Sequence, residues 1–207
     1  SGKAGGIDPA VSWRPSGRME FSFGPSINWN HDTWQYLQTS AVPGNTEYFF
    51  GDLDQTTLSF RLRGNVTFLP TLTLQVYAEP FYSAGQYLCV QHVLDPRGER
   101  WSDRMAYLTP AQISRDNASG DFLVDLNSDA TTDATIGNPD FSFTSFRSNV
   151  VLRWEFRPGS TIFLVWQQGR SSFSSDGRYR FGEATRSMFS TQPENVFLVK
   201  MNYWLSL

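Results

Sequence analysis

The feature that most constrains this chain is a two-residue alternation of apolar and polar side chains, held over runs longer than an ordinary strand. From Gln55 to Phe68 the even positions are Thr56, Leu58, Phe60, Leu62, Gly64, Val66 and Phe68. The odd positions are Thr57, Ser59, Arg61, Arg63, Asn65 and Thr67. Successive side chains of a strand point to opposite faces, so this run has one greasy face and one polar face carrying two arginines. Leu69-Pro70 breaks the run, and Leu72, Leu74, Val76 and Ala78 restart it at once, which predicts a tight hairpin. The same alternation returns in Met19–Trp29, in Phe146–Phe156 and from Phe197 to Leu207. Pro158-Gly159 is a two-residue turn, followed by a returning strand from Thr161 to Gln168.

Seven strands are expected: Gly17–Trp29, Thr33–Phe50, Gln55–Phe68, Thr71–Phe81, Phe141–Arg157, Thr161–Gln168 and Asn195–Leu207. Residues 1–16, opening on a glycine-rich stretch, form a flexible lead-in. The segments of about 83–140 and 169–194 are rich in Asp, Ser, Gly, Asn and Arg, and are expected to be long loops, the second with a short helix near its end.

A soluble sandwich and a membrane barrel both alternate, but three features favour the barrel. The runs alternate for roughly 10–15 residues, where soluble strands average about 5–6 and a tilted spanning strand needs about 9–11. The connections alternate short and long, as they do between the two ends of an outer-membrane barrel. The final amphipathic strand runs to the terminal residue. The expected fold is therefore an all-β, antiparallel, up-and-down transmembrane β-barrel over residues 17–207, or the C-terminal part of a larger one, with long extracellular loops. Its expected place is the outer membrane of a Gram-negative bacterium, with the lipid bilayer as first partner. Seven is an odd number, whereas bacterial single-chain barrels have even ones. That implies a further strand in the first residues or the arginine-rich loop, or a missing part supplied by an upstream domain or a partner chain.

Composition fits this picture. Phe 17, Tyr 8 and Trp 7 make aromatics 15% of the 207 residues, suiting interface girdles. Lys3 and Lys200 are the lysines among 17 basic residues, so arginine supplies nearly all the positive charge. No apolar run of about 18 residues exists to make a membrane helix. A net charge of −3 and a pI near 5.4 exclude nucleic acid as the main partner. Cys89 is the single cysteine and His31 and His92 the two histidines, too few for a zinc site of the usual Cys/His kind.

Several groups of residues are candidates for function. Arg61, Arg63, Glu79, Arg153, Glu155, Arg157 and Lys200 line the polar face; they select anions or oligosaccharides in a lumen, or close into a salt-bridge network that plugs it. Tyr82, Tyr87, Trp101 and Tyr107 stack on sugars, or pack a loop over the barrel mouth. Asp125, Asn127, Asp129 and Asp133 have the spacing of a calcium loop, but Ala130 replaces its glycine and Ile136 its final glutamate. An acidic solvated loop is the better description, so no cofactor is expected and calcium is the weak alternative. His92 and Asp95 suggest a hydrolase site, although no GxSxG motif accompanies them.

The stretch Asn138-Pro139-Asp140-Phe141-Ser142-Phe143, continuing through Arg153-Trp154-Glu155-Phe156-Arg157-Pro158-Gly159-Ser160-Thr161 to Val165-Trp166, is distinctive. It resembles the C-terminal barrel region of the bacterial DUF5916 proteins, and weaker likeness extends over most of Phe21–Leu207. The resemblance implies an outer-membrane location and transfers no catalytic residues. It also implies an upstream domain resembling carbohydrate-binding family 9. The expected function is a pore, transporter or surface platform linked to polysaccharide or oligosaccharide handling, without catalysis. The alternatives are a soluble β-sandwich carbohydrate-binding module and a barrel-embedded hydrolase.

Overall fold

The computed structural model describes residues 2–42 and 44–205. Its first element, β1 (Lys3–Ile7), and its second, β2 (Val11–Ser16), lie end to end along β3 (Met19–Val42). Both pairings share one register: Lys3 faces His31, Ile7 faces Ile27, Val11 faces Phe23 and Trp13 faces Phe21. The opening residues are thus an interrupted edge strand rather than a flexible lead-in. Pro9, which has no N–H for a ladder, sits in the interruption.

The chain turns at Ser16/Met19 into β3, which runs antiparallel to β4 (Asn45–Leu69), and β4 to β5 (Leu72–Val93). A 24-residue β3 runs straight through Asn30-His31-Asp32, the break expected between strands Gly17–Trp29 and Thr33–Phe50, and the expected strand Thr33–Phe50 is divided between the end of β3 and the start of β4. The turn-prone residues stay in the ladder because β4 answers them: Asn30 faces Gln55, and His31 faces Asp54 and hydrogen-bonds its carboxylate. A bulge between Asp32 and Gln35 absorbs the irregularity, with Asp32 accepting from the Trp34 N–H and the Gln35 amide.

The connection after β5 is shorter than expected because β5 continues to Val93, and it is structured. It holds α1 (Trp101–Arg104), β6 (Met105–Tyr107) paired on β5, and a separate sheet of β7 (Ile113–Arg115), β8 (Phe122–Val124) and β9 (Ala134–Ile136). β10 (Phe141–Arg157) then returns to pair with β5, followed by β11 (Ser160–Ser174), α2 (Phe181–Ser190) and β12 (Glu194–Asn202). The last strand ends at Asn202: Tyr203, Trp204 and Leu205, expected within it, leave the ladder, and Ser206 and Leu207 lie outside the described residues.

The large sheet runs β1-β3-β4-β5-β10-β11-β12, all antiparallel. Among the described residues β1 and β12 do not pair, so the expected closed barrel gives way to an open sheet with two free edges. The turns at 16–19, 69–72 and 157–160 share one end; both long connections lie at the other, together with the short β3–β4 connection, where Val42 faces Asn45 in place of an expected longer one.

The buried hydrophobic cluster lies beyond the long-connection end. Phe49 and Val90, on the tall tips of β4 and β5, pack with Leu108, Phe122, Val124, Ala134 and Ile136. Burying each large side chain contributes about 1.5–3 kcal/mol. The small sheet is thus a lid fastened to the tip of the long hairpin, with the Gln38 amide donating to the Thr135 carbonyl across the seam.

Candidate functional site

Strand register sorts every side chain of the large sheet onto one of two faces. One row, Trp13–Phe21–Gly64–Val76–Val150–Trp166–Phe197, crosses the sheet from edge to edge. The next, Met19–Val66–Leu74–Leu152–Leu164–Val199, is wholly apolar. The ends of these rows are open to the surroundings, Trp13 62% exposed, Phe197 75% and Val199 71%, while the middle of each is exposed in part. Gly64 gives its place in the first row to the Phe21 ring, which a Cβ there would meet at 3.2 Å. Trp166 and Phe197 stack at 6.0 Å, and Trp13 and Phe21 at 5.8 Å.

Aromatics mark both margins of this band. Trp154, Tyr203 and Trp204 stand near the short turns, and Trp29 stands where the face turns polar toward the long connections. On the short-turn side of Trp29, α2 lies across the upper rows of this face. Phe181 meets Phe60 and Tyr82, Phe189 meets Phe146, and Met188 is fully buried.

The opposite face is polar. Its rows include Ser22–Arg63–Tyr77–Asn149–Gln167, and Glu79–Arg147–Gly169–Glu194. The register between Ser59/Phe81 and Leu62/Ala78 sets Arg61 opposite Glu79. Arg153 and Lys200 share this face through Phe163. Six of the seven expected lumen residues therefore do lie on one face. Arg157 stands apart, beyond a bulge at Glu155/Arg157, and donates to the Tyr203 hydroxyl.

Of the salt-bridge network, one of the two alternatives for these seven residues, a single pair forms among the described residues. Arg153 pairs with Glu155 at 3.0 Å. Glu79 instead accepts the Tyr77 hydroxyl, and Arg63 lies over the Tyr77 ring at 5.3 Å. Arg147 was missing from the expected set, although its parity with Arg153 within one alternating run was the signal for it.

The aromatic candidates divide. Tyr82 is 3% exposed beneath α2 and Tyr87 packs against the buried cluster, so neither offers a ring face to a sugar. Tyr107 is half exposed, with its hydroxyl donating to Asp52 at 3.0 Å, inside a network in which the buried Gln91 amide also reaches Asp52. Trp101 is half exposed and packs edge-on against Trp34 at 4.1 Å.

The calcium-like quartet is turned to the backbone. Asp125 accepts the N–H groups of Asp129 and Ala130, Asp129 that of Thr131, and Asp133 that of Leu126. These bonds, first those from Thr131, hold the Asp129 carboxyl below its ordinary value. Among the described residues no group of three or more His, Cys, Asp or Glu is arranged to hold a metal ion. His92 pairs with Glu47 at 3.2 Å, while Asp95 accepts the Arg97 N–H, so the two expected hydrolase residues have different partners.

Among the described residues no helix is long and apolar enough to cross a membrane, which leaves strands that cross one untouched. The family model described as a domain of unknown function, DUF5916, matches residues 6–207. The chain belongs to the DUF5916 family. No curated protein and no solved structure matches it. The DUF5916 match spans the interrupted edge strand, the lid and both faces of the sheet, so the two-faced architecture is the family's region rather than an addition to it.

Proposed function

We propose that this DUF5916 region is part of the wall of a β-barrel in the outer membrane of a Gram-negative bacterium. The apolar face meets lipid and the polar face meets an aqueous lumen. The two free edges are completed by strands from an upstream part of the protein or from a partner chain. The single observation that carries this is the exposed apolar band crossing the sheet from Trp13 to Phe197.

Covering such a band removes apolar area from water at about 25 cal/mol per Å², a driving force that a lone sheet in water leaves unused. From Phe60 to Phe68 the band follows about 27 Å of strand, or about 21 Å of height at a tilt of about 40°, close to the roughly 25 Å apolar band of an outer-membrane barrel. A soluble sandwich would lay a second sheet over this face, whereas here α2 covers its margin alone. A link to oligosaccharide handling draws on the half-exposed Trp101 beside the long connections, where a sugar ring can approach it.

The test is tryptophan fluorescence in vesicles of brominated lipid. Trp13, Trp154 and Trp166 should be quenched, while Trp34 and Trp101 at the lid should not. A protein that stays monodisperse in plain buffer and shows no lipid quenching removes the proposal.

A further inference from the structure

We propose that the polar face is an anion-selecting strip, in which Arg61, Arg63 and Arg147 attract small solutes bearing a carboxylate or phosphate into the lumen. The inference rests on the wall proposed above and names what that wall would admit. The chain as a whole carries −3, yet this face is positive. Its cations are Arg14, Arg61, Arg63, Arg147, Arg153 and Lys200, and its carboxylates are Glu20, Asp32, Glu79, Glu155 and Glu194, of which Asp32 is turned to the Trp34 N–H and the Gln35 amide.

Two of the carboxylates are taken by neighbours, Glu20 by Arg14 at 2.8 Å and Glu155 by Arg153 at 3.0 Å. A third, Glu79, is occupied by the Tyr77 hydroxyl. Arg61, Arg63 and Arg147 are exposed and make no ion pair among the described residues. The acidic residues that give the chain its negative sign sit instead in the lid and its connections, among them Asp116, Asp121, Asp125, Asp129 and Asp133.

Geometry brings the three arginines together. Arg61 and Arg147 flank Glu79 on neighbouring strands, within about 10 Å across the sheet, and Arg63 lies about 7 Å along β4 from Arg61. Tyr77 steadies the group by bonding Glu79 and lying under Arg63. A single carboxylate among three guanidiniums leaves the cluster positive, and wall-bound charges in a confined aqueous space focus the field on a passing ion. Guanidiniums are weakly hydrated and present paired donors that match carboxylate and phosphate oxygens.

The experiment uses the protein at its full natural length, reconstituted in planar lipid bilayers under a potassium chloride gradient. Flotation with liposomes serves as the separate check on membrane insertion. The expected result is a reversal potential on the anion side, and conductance reduced by inorganic phosphate. Replacing Arg61, Arg63 and Arg147 together by Glu should lower the chloride-to-potassium permeability ratio by roughly tenfold. Replacement by Lys should keep the anion preference and weaken the phosphate effect, which also guards against a Glu variant that fails to fold. A cation preference, a ratio unmoved by the Glu variant, or insertion without conductance overturns the strip. Failure to float with liposomes removes the wall itself.

Discussion

Gly159 shows how one residue can fix a long register. With φ of +76° after Pro158, it occupies the third position of a type II turn, which L side chains adopt at a cost of about 1–2 kcal/mol. Gly159→Ala should therefore lower stability by about that amount, read as an earlier midpoint in denaturant, and crowd Trp204, whose Cβ would stand 3.1 Å away. The turn was legible because Pro-Gly has a single conformational meaning. The spacing of Asp125, Asn127, Asp129 and Asp133 has two, since the offsets that wrap a cation also let Asp125 and Asp129 reach backbone N–H groups two to five residues ahead, and Asp133 that of Leu126 behind it. Titration separates the two uses. Backbone donors, Ser119 first, hold Asp116 below the ordinary value of 3.8, and those of Thr131 do the same for Asp129. A lowered folded value means these carboxylates stabilise their loops above pH 3.8, and that support is lost as the pH falls through the folded values. The amide resonances of Ser119 and Thr131 should titrate with midpoints below 3.8; midpoints at the ordinary value would show the bonds to be absent.

At the scale of elements, the alternation reports burial on one face and nothing about where a strand ends. It was clear in the lower halves of β4, β5 and β10, where one face is apolar throughout. It failed above Trp29, where β3, β4 and β5 leave the two-faced region and build the lid core. There Phe49 and Val90 are buried by β7–β9 rather than by a neighbouring strand, so the sequence period fades while the strands persist. Phe49→Ala should cost about 3–5 kcal/mol in the lid. Hydrogen exchange should then quicken at the tips of β4 and β5 and in β7–β9, with the β10–β11 ladder unchanged. Loss of protection through β10 and β11 as well would mean that lid and wall unfold as one unit. Met188 holds α2 in the same way, and Met188→Ala, at about 2–5 kcal/mol, should free the helix without disturbing the strands beneath it.

At the scale of the whole molecule, the edges carry the argument. β12 is exposed along all nine residues, and it is apolar on both faces, with Phe197, Val199 and Met201 on one and Val196 and Leu198 on the other. Soluble sheets protect a free edge with charge, proline or a bulge, because unpaired N–H and C=O groups invite another strand. β12 offers two charges, Glu194 at its start and Lys200 near its end, none in the apolar stretch between them, and no proline. In lipid the same groups have no water to bond, so the edge needs a partner more strongly still. This also explains why antiparallel alternation was readable while closure was not: pairing between first and last strands depends on three-dimensional curvature, which alternation does not encode. The expected outcome is a contrast between two preparations. In the 207-residue chain alone, the amide hydrogens of β12 that point away from β11 should exchange quickly, and the chain should self-associate. In the full-length protein in bilayers they should be protected to the level of β10. Leu198→Pro should reduce self-association of the isolated chain by removing one edge donor and bending the strand. Equal protection in both preparations would mean that β12 is covered within this chain, and the wall would then close without help.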